Sequence, residues 1–372
     1  MRKILYIGGF ELPDKNAAAQ RVMANAKLLR EMGFDVSFIG ISKDILNAPK
    51  SVDGFSSAPL PYPTSVLQWM HQIFIFVESS RILKYHPNFV VLYNFPAIAS
   101  MKILNACHKH GIKVIQDLTE WESNHKWYPT DIVRKIDIYL RMHYCMKKMD
   151  GIIAISRYLY DYYHTYTRTI MVPPTVDLND SKFHRNRDLT TYGETTKLVY
   201  AGSPGKSATK DRLDYIIKAV SAFPTLRLDI VGQTKEQFIA MFGDSVAIGN
   251  NVVFHGHVSH SDAIDFVCKA DFQMLIRDNS LKNNAGFPTK FVESMSCCIP
   301  VIATLTSNIG DYLHDGVNGM VVSEEHPLNE VLKKIVGMSA SEKIKMKEAC
   351  RAFKGFDYHN YKEVFATLFS NE

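Results

Sequence analysis

The sequence lacks the patterns that mark secreted, membrane-spanning and disulfide-linked proteins. Its six cysteines form no Cys-x-x-Cys pair, so we expect reduced thiols in a cytoplasmic protein. No apolar run reaches the length that a membrane span needs. The apolar run after Met1 is too short for a signal peptide and ends at Gly8 and Gly9. These absences favour the cytoplasm.

Several ligand-binding patterns are missing as well. The chain has no Gly-x-Gly-x-x-Gly, which argues against a dinucleotide oxidoreductase. It has no Asp-x-Asp pair, with which a metal-dependent transferase holds its cation, so we expect no metal site. The net charge is +5, but no dense basic stripe accompanies it, so nucleic-acid binding is not expected. The charge suits a polyanionic ligand or an acidic membrane surface.

What the chain does have is a repeated alternation of apolar runs and helical segments over 372 residues, too many for one core. In the first half, the apolar runs predict buried parallel strands at 3–10, 35–41, 89–94, 113–118, 151–156 and 169–177. A second series is predicted at 197–206, 227–232, 251–258, 271–276, 300–304 and 319–323. Both series open with a strand followed by a glycine loop, which is typical of doubly wound domains.

We therefore predict an α/β protein with two Rossmann-like, doubly wound domains that face an interdomain cleft. The first would span 1–180 and the second 190–355, joined by a polar segment. A terminal helix in 356–372 is expected to return to the first domain. Ligands of such sheets bind at the carboxyl ends of the strands, so the cleft is the expected site.

The segment 284–304, NAGFPTKFVESMSCCIPVIAT, predicts an anion site. Gly286 and Thr289 lie at the start of a helix, where unpaired backbone N–H groups and the helix dipole attract anions. Lys290 adds a cation that a helix start disfavours, and an anionic ligand would explain it. Glu293 follows about one turn later, where its carboxylate can meet the hydroxyls of an attached ribose. A capped surface helix with a solvated lysine is the alternative.

This segment resembles the donor-binding region of retaining glycosyltransferases of family 4, which have the GT-B fold. Those proteins carry Glu-x7-Glu with Gly-Phe between the acids, and a Pro-Val-Ile-Ala run follows. The chain matches at Gly286, Phe287, Glu293 and 300–303, but Ala285 replaces the first acid. The variant GFPTKFVES resembles a subgroup linked to bacterial surface polysaccharide synthesis.

The resemblance implies that Glu293 binds ribose and that one role is vacant. In the family, the first acid contacts the donor sugar near the reacting centre, and Ala285 cannot do so. Asn284, Asp278 and Arg277 are open candidates for that role.

The resemblance continues in 200–220, YAGSPGKSATKDRLDYIIKAV. The family has a Gly-Arg pair after this strand and a lysine further on, and both hold the donor diphosphate. Gly202 matches, whereas Ser203 stands where arginine is usual. Lys206 and Lys210 are both candidates for the lysine, and Lys210 fits the register better.

Arg277, directly after the strand at 271–276, is predicted to supply the missing guanidinium. Cations and a helix terminus suit a diphosphate leaving group, whose negative charge grows as the glycosidic bond breaks. They would take the place of a metal, so we expect no metal and no cofactor, with the nucleotide sugar as substrate. A UDP-sugar is favoured because it is common, since no residue reads the base. Ordinary surface lysines are the alternative.

The first half offers a second group of candidates. In the resembled family, the loop containing Gly9 approaches the donor phosphates and the acceptor. Asp117 and Glu120 lie at the carboxyl end of a strand, where family members often carry a histidine that touches the sugar. With Trp121 they suggest a sugar and acceptor site. Asp117, Glu120 and Arg277 are the catalytic candidates, and a structural role for the two acids is the alternative.

Two aromatic or basic segments, 65–86 and 134–148, can rest on a membrane that bears a lipid-linked acceptor, or can be ordinary core-facing helices. Together these patterns predict a retaining, metal-independent glycosyltransferase of surface polysaccharide synthesis. It would move a hexose from a nucleotide sugar to a hydroxyl of a glycan or lipid-linked acceptor. It would work in the cytoplasm, with peripheral attachment to the inner face of the membrane as an option. The alternatives are a GT-B sugar-nucleotide epimerase or hydrolase, and a catalytically weak partner subunit.

Overall fold

The computed structural model describes residues 1–121, 129–184, 195–204 and 210–370, without the side chains of 129–131. Contacts between residues divide the chain into two compact units. The first unit comprises Met1–Thr175, Ala285–Phe287 and the residues from Tyr358 onward, and the second comprises Val176–Asn284 and Pro288–Asp357.

The strands of the first unit form one large sheet and one small one. They are β1 (Arg2–Gly8), β2 (Phe34–Ile39), β3 (Ile41–Ser42), β4 (Ser51–Val52), β5 (Phe55–Ser57), β6 (Leu60–Pro61), β7 (Phe89–Tyr93), β8 (Lys113–Leu118), β9 (Gly151–Ala154) and β10 (Thr169–Met171). Within the described residues, the large sheet has the order β10-β9-β8-β7-β1-β2-β5-β4. Its neighbouring strands are parallel except for the antiparallel pair β4 and β5. The chain thus starts in the middle of the sheet and winds to both sides.

Helices connect these strands. They are α1 (Ala17–Glu31), α2 (Val66–Phe74), α3 (Ser79–Leu83), α4 (Ala97–His108), α5 (Pro129–Leu140) and α6 (Arg157–Tyr163). Helix α1 begins where the Asn16 side chain accepts a hydrogen bond from the Ala19 N–H at 2.8 Å. It ends just before Gly33, which has a φ of +87°, a conformation that favours glycine after a helix.

The second unit contains one parallel sheet. Its strands are β11 (Thr196–Ala201), β12 (Leu226–Val231), β13 (Val252–Gly256), β14 (Phe272–Leu275), β15 (Val301–Thr304) and β16 (Gly319–Val322). Their order is β13-β12-β11-β14-β15-β16. The chain moves outward from β11, returns to its other side at β14 and moves outward again. This order is that of a dinucleotide-binding α/β domain, with its topological switch point between β11 and β14.

The helices of the second unit are α7 (Leu213–Ser221), α8 (Lys235–Phe242), α9 (His260–Cys268), α10 (Leu281–Ala285), α11 (Thr289–Ser296), α12 (Leu328–Val336) and α13 (Ala340–Ala352). Helix α13 lacks the apolar face of its neighbours. That helix is largely polar, and its start is fixed by a reciprocal pair of hydrogen bonds between Ser339 and Glu342.

The terminal helix α14 (Lys362–Phe369) belongs to the first unit. Phe369 is 1% exposed, and its ring contacts those of Phe34 and Phe89 with centroids 5.9 and 5.2 Å apart. The first unit therefore includes residues from both ends of the chain in one apolar core. Burying one such phenylalanine side chain contributes about 1.5–3 kcal/mol.

Candidate functional site

Glycines and cations lie close together at the topological switch point of the second unit. Gly202 follows β11 with a φ of +131°. A Cβ added there would lie 3.0 Å from Lys290 Nζ, so the lysine amino group packs directly against the strand end. Gly232, after β12, approaches Gly202 in turn, because its own Cβ would lie 2.8 Å from the Gly202 carbonyl oxygen. A side chain at either position would displace the lysine or the backbone.

The carboxylate of Asp211 gathers the polar groups at this point. Arg277 Nε donates to Asp211 Oδ1 at 2.7 Å, and Lys290 Nζ donates to Oδ2 at 2.5 Å. The Tyr200 hydroxyl also donates to Oδ2, at 2.7 Å. The lysine amino group lies over the Tyr200 ring, 4.1 Å from its centroid. We call Tyr200, Asp211, Arg277 and Lys290 the switch-point cluster.

The switch-point cluster is charged and largely buried. The side chains of Asp211, Arg277 and Lys290 are 0%, 3% and 12% exposed. Burial alone would raise the pKa of Asp211, but Lys290 and Arg277 outweigh it and hold that pKa below its ordinary value. Two cations and one anion leave a net charge of +1. Such a site attracts an anion without an excess of uncompensated buried charge.

Other predicted phosphate ligands lie on the same chain segment. Lys210 is exposed and directly precedes Asp211. Its N–H donates to the Pro204 carbonyl at 3.2 Å. Ser203 is exposed in the same loop, whereas Lys206 lies outside the described residues. The structure thus brings Lys210, Arg277 and Lys290 to one end of the second sheet.

Helix α11 begins beside this cluster. Its preceding residue, Pro288, makes no side-chain cap hydrogen bond to the first N–H groups of the helix. Thr289 and Lys290 occupy the first two positions of the helix. Glu293 follows one turn later, and His260 Nε2 lies 2.9 Å from its Oε1.

The end of α10 and the turn before α11 contain three further predicted positions. Ala285, which replaces the first acid, is fully buried, and its carbonyl accepts a hydrogen bond from the Ser156 hydroxyl at 2.7 Å. Phe287 is 6% exposed, and Gly286 between them is partly exposed. These three residues group with the first unit in the contact division. The position of the first acid is thus taken by a buried alanine at the end of α10.

The three candidates for the vacant role differ in their surroundings. Arg277 belongs to the switch-point cluster. Asp278 pairs with Arg212 at 3.1 Å. Asn284 accepts from the Ser307 N–H at 2.9 Å and donates to Asn279 at 2.6 Å.

In the first unit, Asp117 lies in a buried network of its own. The hydroxyl of Tyr6 donates to Asp117 Oδ2, and Asn25 Nδ2 donates to the same oxygen at 3.2 Å. Arg21 Nε donates to Oδ1 at 2.9 Å and Arg21 also donates to the Val172 carbonyl at 2.9 Å. Asp117 is 0% exposed, and burial together with this carboxylate raises the pKa of Tyr6. The catalytic role of Asp117 stays a prediction, and the geometry favours its structural alternative.

The remaining candidates of the first unit lie at other strand ends. Gly9, after β1, is exposed, and a Cβ added there would meet no described atom within 4 Å. Glu120 is partly buried just beyond β8. Trp121 is 8% exposed and packs with its ring centroid 5.3 Å from His143 and 5.0 Å from Tyr162. It is therefore a packed side chain more than an open sugar platform.

Asp211 and His260 were not predicted from the sequence. Neither was the likeness between the network around Asp117 and the network around Asp211. In each unit, a tyrosine of the first strand donates to a buried aspartate that also pairs with an arginine. One signal was available, since Tyr6 and Tyr200 occupy matching places in KILYIGG and KLVYAGS. The partners were not detectable, because Arg277 is 66 residues from Asp211 in the chain.

Among the described side chains, no group of three or more His, Cys, Asp or Glu is placed to hold a metal ion. In the same parts of the chain, no helix combines the length and the apolar character needed to cross a bilayer.

Comparisons with known proteins agree with the fold. Residues 195–340 match the family described as Glycosyl transferases group 1. An uncharacterized glycosyltransferase of Methanocaldococcus jannaschii, MJ1178, is 29% identical over 90 residues, a stretch that spans 24% of each chain. The alignment thus covers about a quarter of that relative's length.

Among solved structures, sucrose-phosphate synthase from Thermosynechococcus elongatus is similar with a TM-score of 0.71 and 14% identity, over 99% of this chain and 98% of that one. Anabaena HepE, solved with UDP-glucose, is similar with a TM-score of 0.65 and 14% identity over the whole of both chains. These likenesses confirm the predicted α/β GT-B fold. The family match supports the prediction of a glycosyltransferase, while family 4 and the retaining mechanism stay predictions.

Proposed function

We propose that this protein is a retaining glycosyltransferase of surface polysaccharide synthesis. It moves a hexose from a nucleotide-diphosphate sugar to a hydroxyl of a glycan or lipid-linked acceptor. The observation that carries the proposal is the switch-point cluster, whose net positive charge lies beside Gly202 and next to the uncapped start of α11. The family match at 195–340 covers this region and supports the same activity.

The donor diphosphate is assigned to the cationic end of the second sheet. Lys290 and Arg277 neutralise the charge that grows on the leaving phosphate, with Lys210 as a further cation. The N–H groups at the start of α11, that of Thr289 among them, donate to the phosphate oxygens. Asp211 offsets one of the two buried cations, so the cluster keeps one net positive charge with which to bind an anion. Its bonds to Arg277 and Lys290 also hold both cations in fixed positions.

The rest of the nucleotide sugar is assigned to neighbouring groups. Glu293 accepts hydrogen bonds from the ribose hydroxyls, one helical turn from the phosphate site. Gly286 and Phe287 form the turn that leads into α11. Gly9 allows close backbone approach on the acceptor side. UDP is the proposed nucleotide, and the similar protein HepE has been solved with UDP-glucose.

The chemistry needs no metal in this proposal, because cations and helix N–H groups stabilise the leaving diphosphate. That phosphate assists removal of the acceptor proton, so no obligatory protein base is required. Glu120, partly exposed beyond β8, is the acidic group assigned to the acceptor. Asp117 supports the same strand end from within, through its bonds to Tyr6 and Arg21.

A peripheral position at the cytoplasmic face of the membrane is part of the proposal. Ile132, Ile136 and Tyr139 on α5 are 52%, 54% and 54% exposed, and their spacing puts them on one helical face. We expect Ile136→Ser to reduce sedimentation with phosphatidylglycerol vesicles. Leu46→Ser is the control, because Leu46 is 93% exposed and is not part of this helix. Equal sedimentation of Ile136→Ser and the unaltered protein would remove the membrane from the proposal.

The central test is donor binding. We expect UDP to raise the thermal unfolding temperature of the unaltered protein, since a ligand that binds the folded state stabilises it. Lys290→Met and Glu293→Gln are expected to weaken UDP binding about tenfold or more, measured by calorimetry. Lys333→Ala is the matched control, because Lys333 is exposed on α12. Full UDP affinity in both site variants would refute the assignment.

A weak partner subunit is a second candidate, favoured by the buried alanine at 285. Transfer of radiolabelled sugar from UDP-sugar to an acceptor extract separates the readings. Transfer above background excludes the inactive subunit. Release of free sugar or of an epimer without any acceptor would instead favour the hydrolase or epimerase.

A further inference from the structure

His260 lies where it can fix the proposed ribose ligand. It is the first residue of α9, and the hydroxyl of Ser259 accepts a hydrogen bond from the Asp262 N–H at 3.1 Å at that helix start. The His260 Nε2 atom is 2.9 Å from Glu293 Oε1. The two side chains are 26% and 20% exposed, so their contact is partly shielded from water but open to a ligand.

The contact gives the two oxygens of the Glu293 carboxylate different roles. Within the described residues, the Glu293 side chain makes its hydrogen bond to His260 through Oε1. Its Oε2 is therefore available to accept from a hydroxyl group. A carboxylate held by one oxygen loses little further freedom when a ligand binds the other, which favours tight binding.

The rigid surroundings of the pair strengthen this reading. Glu293 is on α11, one turn after Lys290, and the Glu293 carbonyl accepts from the Cys297 N–H at 2.9 Å. Toward the ends of α9 and α11, Cys268 and Cys297 are 3% and 2% exposed. Both helices are thus anchored by buried residues, and His260 links the start of α9 to the Glu293 side chain on α11.

We propose that His260 is a positioning residue that orients Glu293 toward the ribose hydroxyls of the donor. This inference rests on the proposed function, because it assumes a nucleotide at α11. His260 acts through Glu293 and touches no reacting atom. It should therefore affect the affinity for the ribose and leave the chemical step unchanged.

The test compares UDP with 2′,3′-dideoxy-UDP in His260→Ala and His260→Gln. We expect His260→Ala to weaken UDP binding about tenfold and to change dideoxy-UDP binding less than about twofold. His260→Gln should recover most of the affinity, because its amide can donate to Glu293 Oε1. In steady-state kinetics, His260→Ala should raise KM for the donor with kcat unchanged.

His257→Ala is the matched control, because His257 is an exposed histidine in the same segment. Equal UDP affinity of His260→Ala and the unaltered protein overturns the inference while the proposed function stands. An equal loss for UDP and dideoxy-UDP also overturns it, since a general structural defect is then the cause. If the unaltered protein binds no nucleoside diphosphate, the proposed function fails and the inference falls with it.

Discussion

Replacing Asp211 by asparagine tests the switch-point cluster most directly. The change keeps the shape of the side chain and removes the charge that compensates Arg277 and Lys290. All three groups are nearly or fully buried, so screening by water is small. Removing one partner of a buried ion pair costs about 3–5 kcal/mol in the free energy of unfolding. For a domain of this size, that corresponds to a fall of about 6–20 °C in the unfolding temperature.

Unfolding by heat and by urea, followed by circular dichroism, measures this effect. Asp214→Asn is the matched control, because Asp214 pairs with Arg212 while 26% exposed and should contribute less than about 1 kcal/mol. The double variant Asp211→Asn with Lys290→Met should recover part of the loss, since one uncompensated cation is gone. A cost below about 1 kcal/mol for Asp211→Asn would refute the reasoning.

The same variant has a defined pH dependence. The pKa of Asp211 is lower in the folded protein than its value of about 4 in an unfolded chain. The stabilisation is therefore fully present above about pH 4 and is lost as the pH falls below that value. The difference in unfolding free energy between the unaltered protein and Asp211→Asn should be largest near neutral pH and shrink on acidification. A difference that stays constant down to pH ~2 would contradict this assignment.

Three further predictions concern other parts of the molecule. Asp117→Asn should lower the unfolding free energy by about 3–5 kcal/mol; a fully stable variant with abolished sugar transfer would instead support its catalytic role. Gly202→Ala should lower the free energy of unfolding by about 1–3 kcal/mol and weaken UDP binding, because Gly202 has a positive φ and contacts Lys290. The control Gly337→Ala should do neither, because Gly337 has a negative φ. Phe369→Ala should cost about 3–5 kcal/mol in urea unfolding, and an unchanged midpoint would exclude α14 from the core of the first unit.

The fold was largely predictable because it depends on local sequence patterns. Buried parallel strands are continuous apolar runs, and both sheets were found from such runs, with boundaries off by a few residues. The strand predicted at 251–258 is shorter, Val252–Gly256, because Gly256 turns the chain with a φ of +68°. The short strands β3 to β6 were missed, since two or three residues carry no periodic signal.

The candidate site was predictable only in part. Lys290 and Glu293 became candidates because a cation and an acid at a helix start form a local pattern, and Gly202 became one because it directly follows a strand. Their partners were not found. Asp211 and His260 could not be recognised as site residues, because neither forms a local pattern with the residue that it binds.

The order of residues alone determined the alternation of strands and helices, the two glycine loops and the cation at the start of α11. These depend on neighbours a few positions away. Tertiary structure decided which charges are paired: Asp211 reaches Lys290 across 79 residues of sequence, and His260 reaches Glu293 across 33. Winding outward from β11 and back to β14 brings such distant residues to one sheet edge, and burial there forces each charge to find a partner.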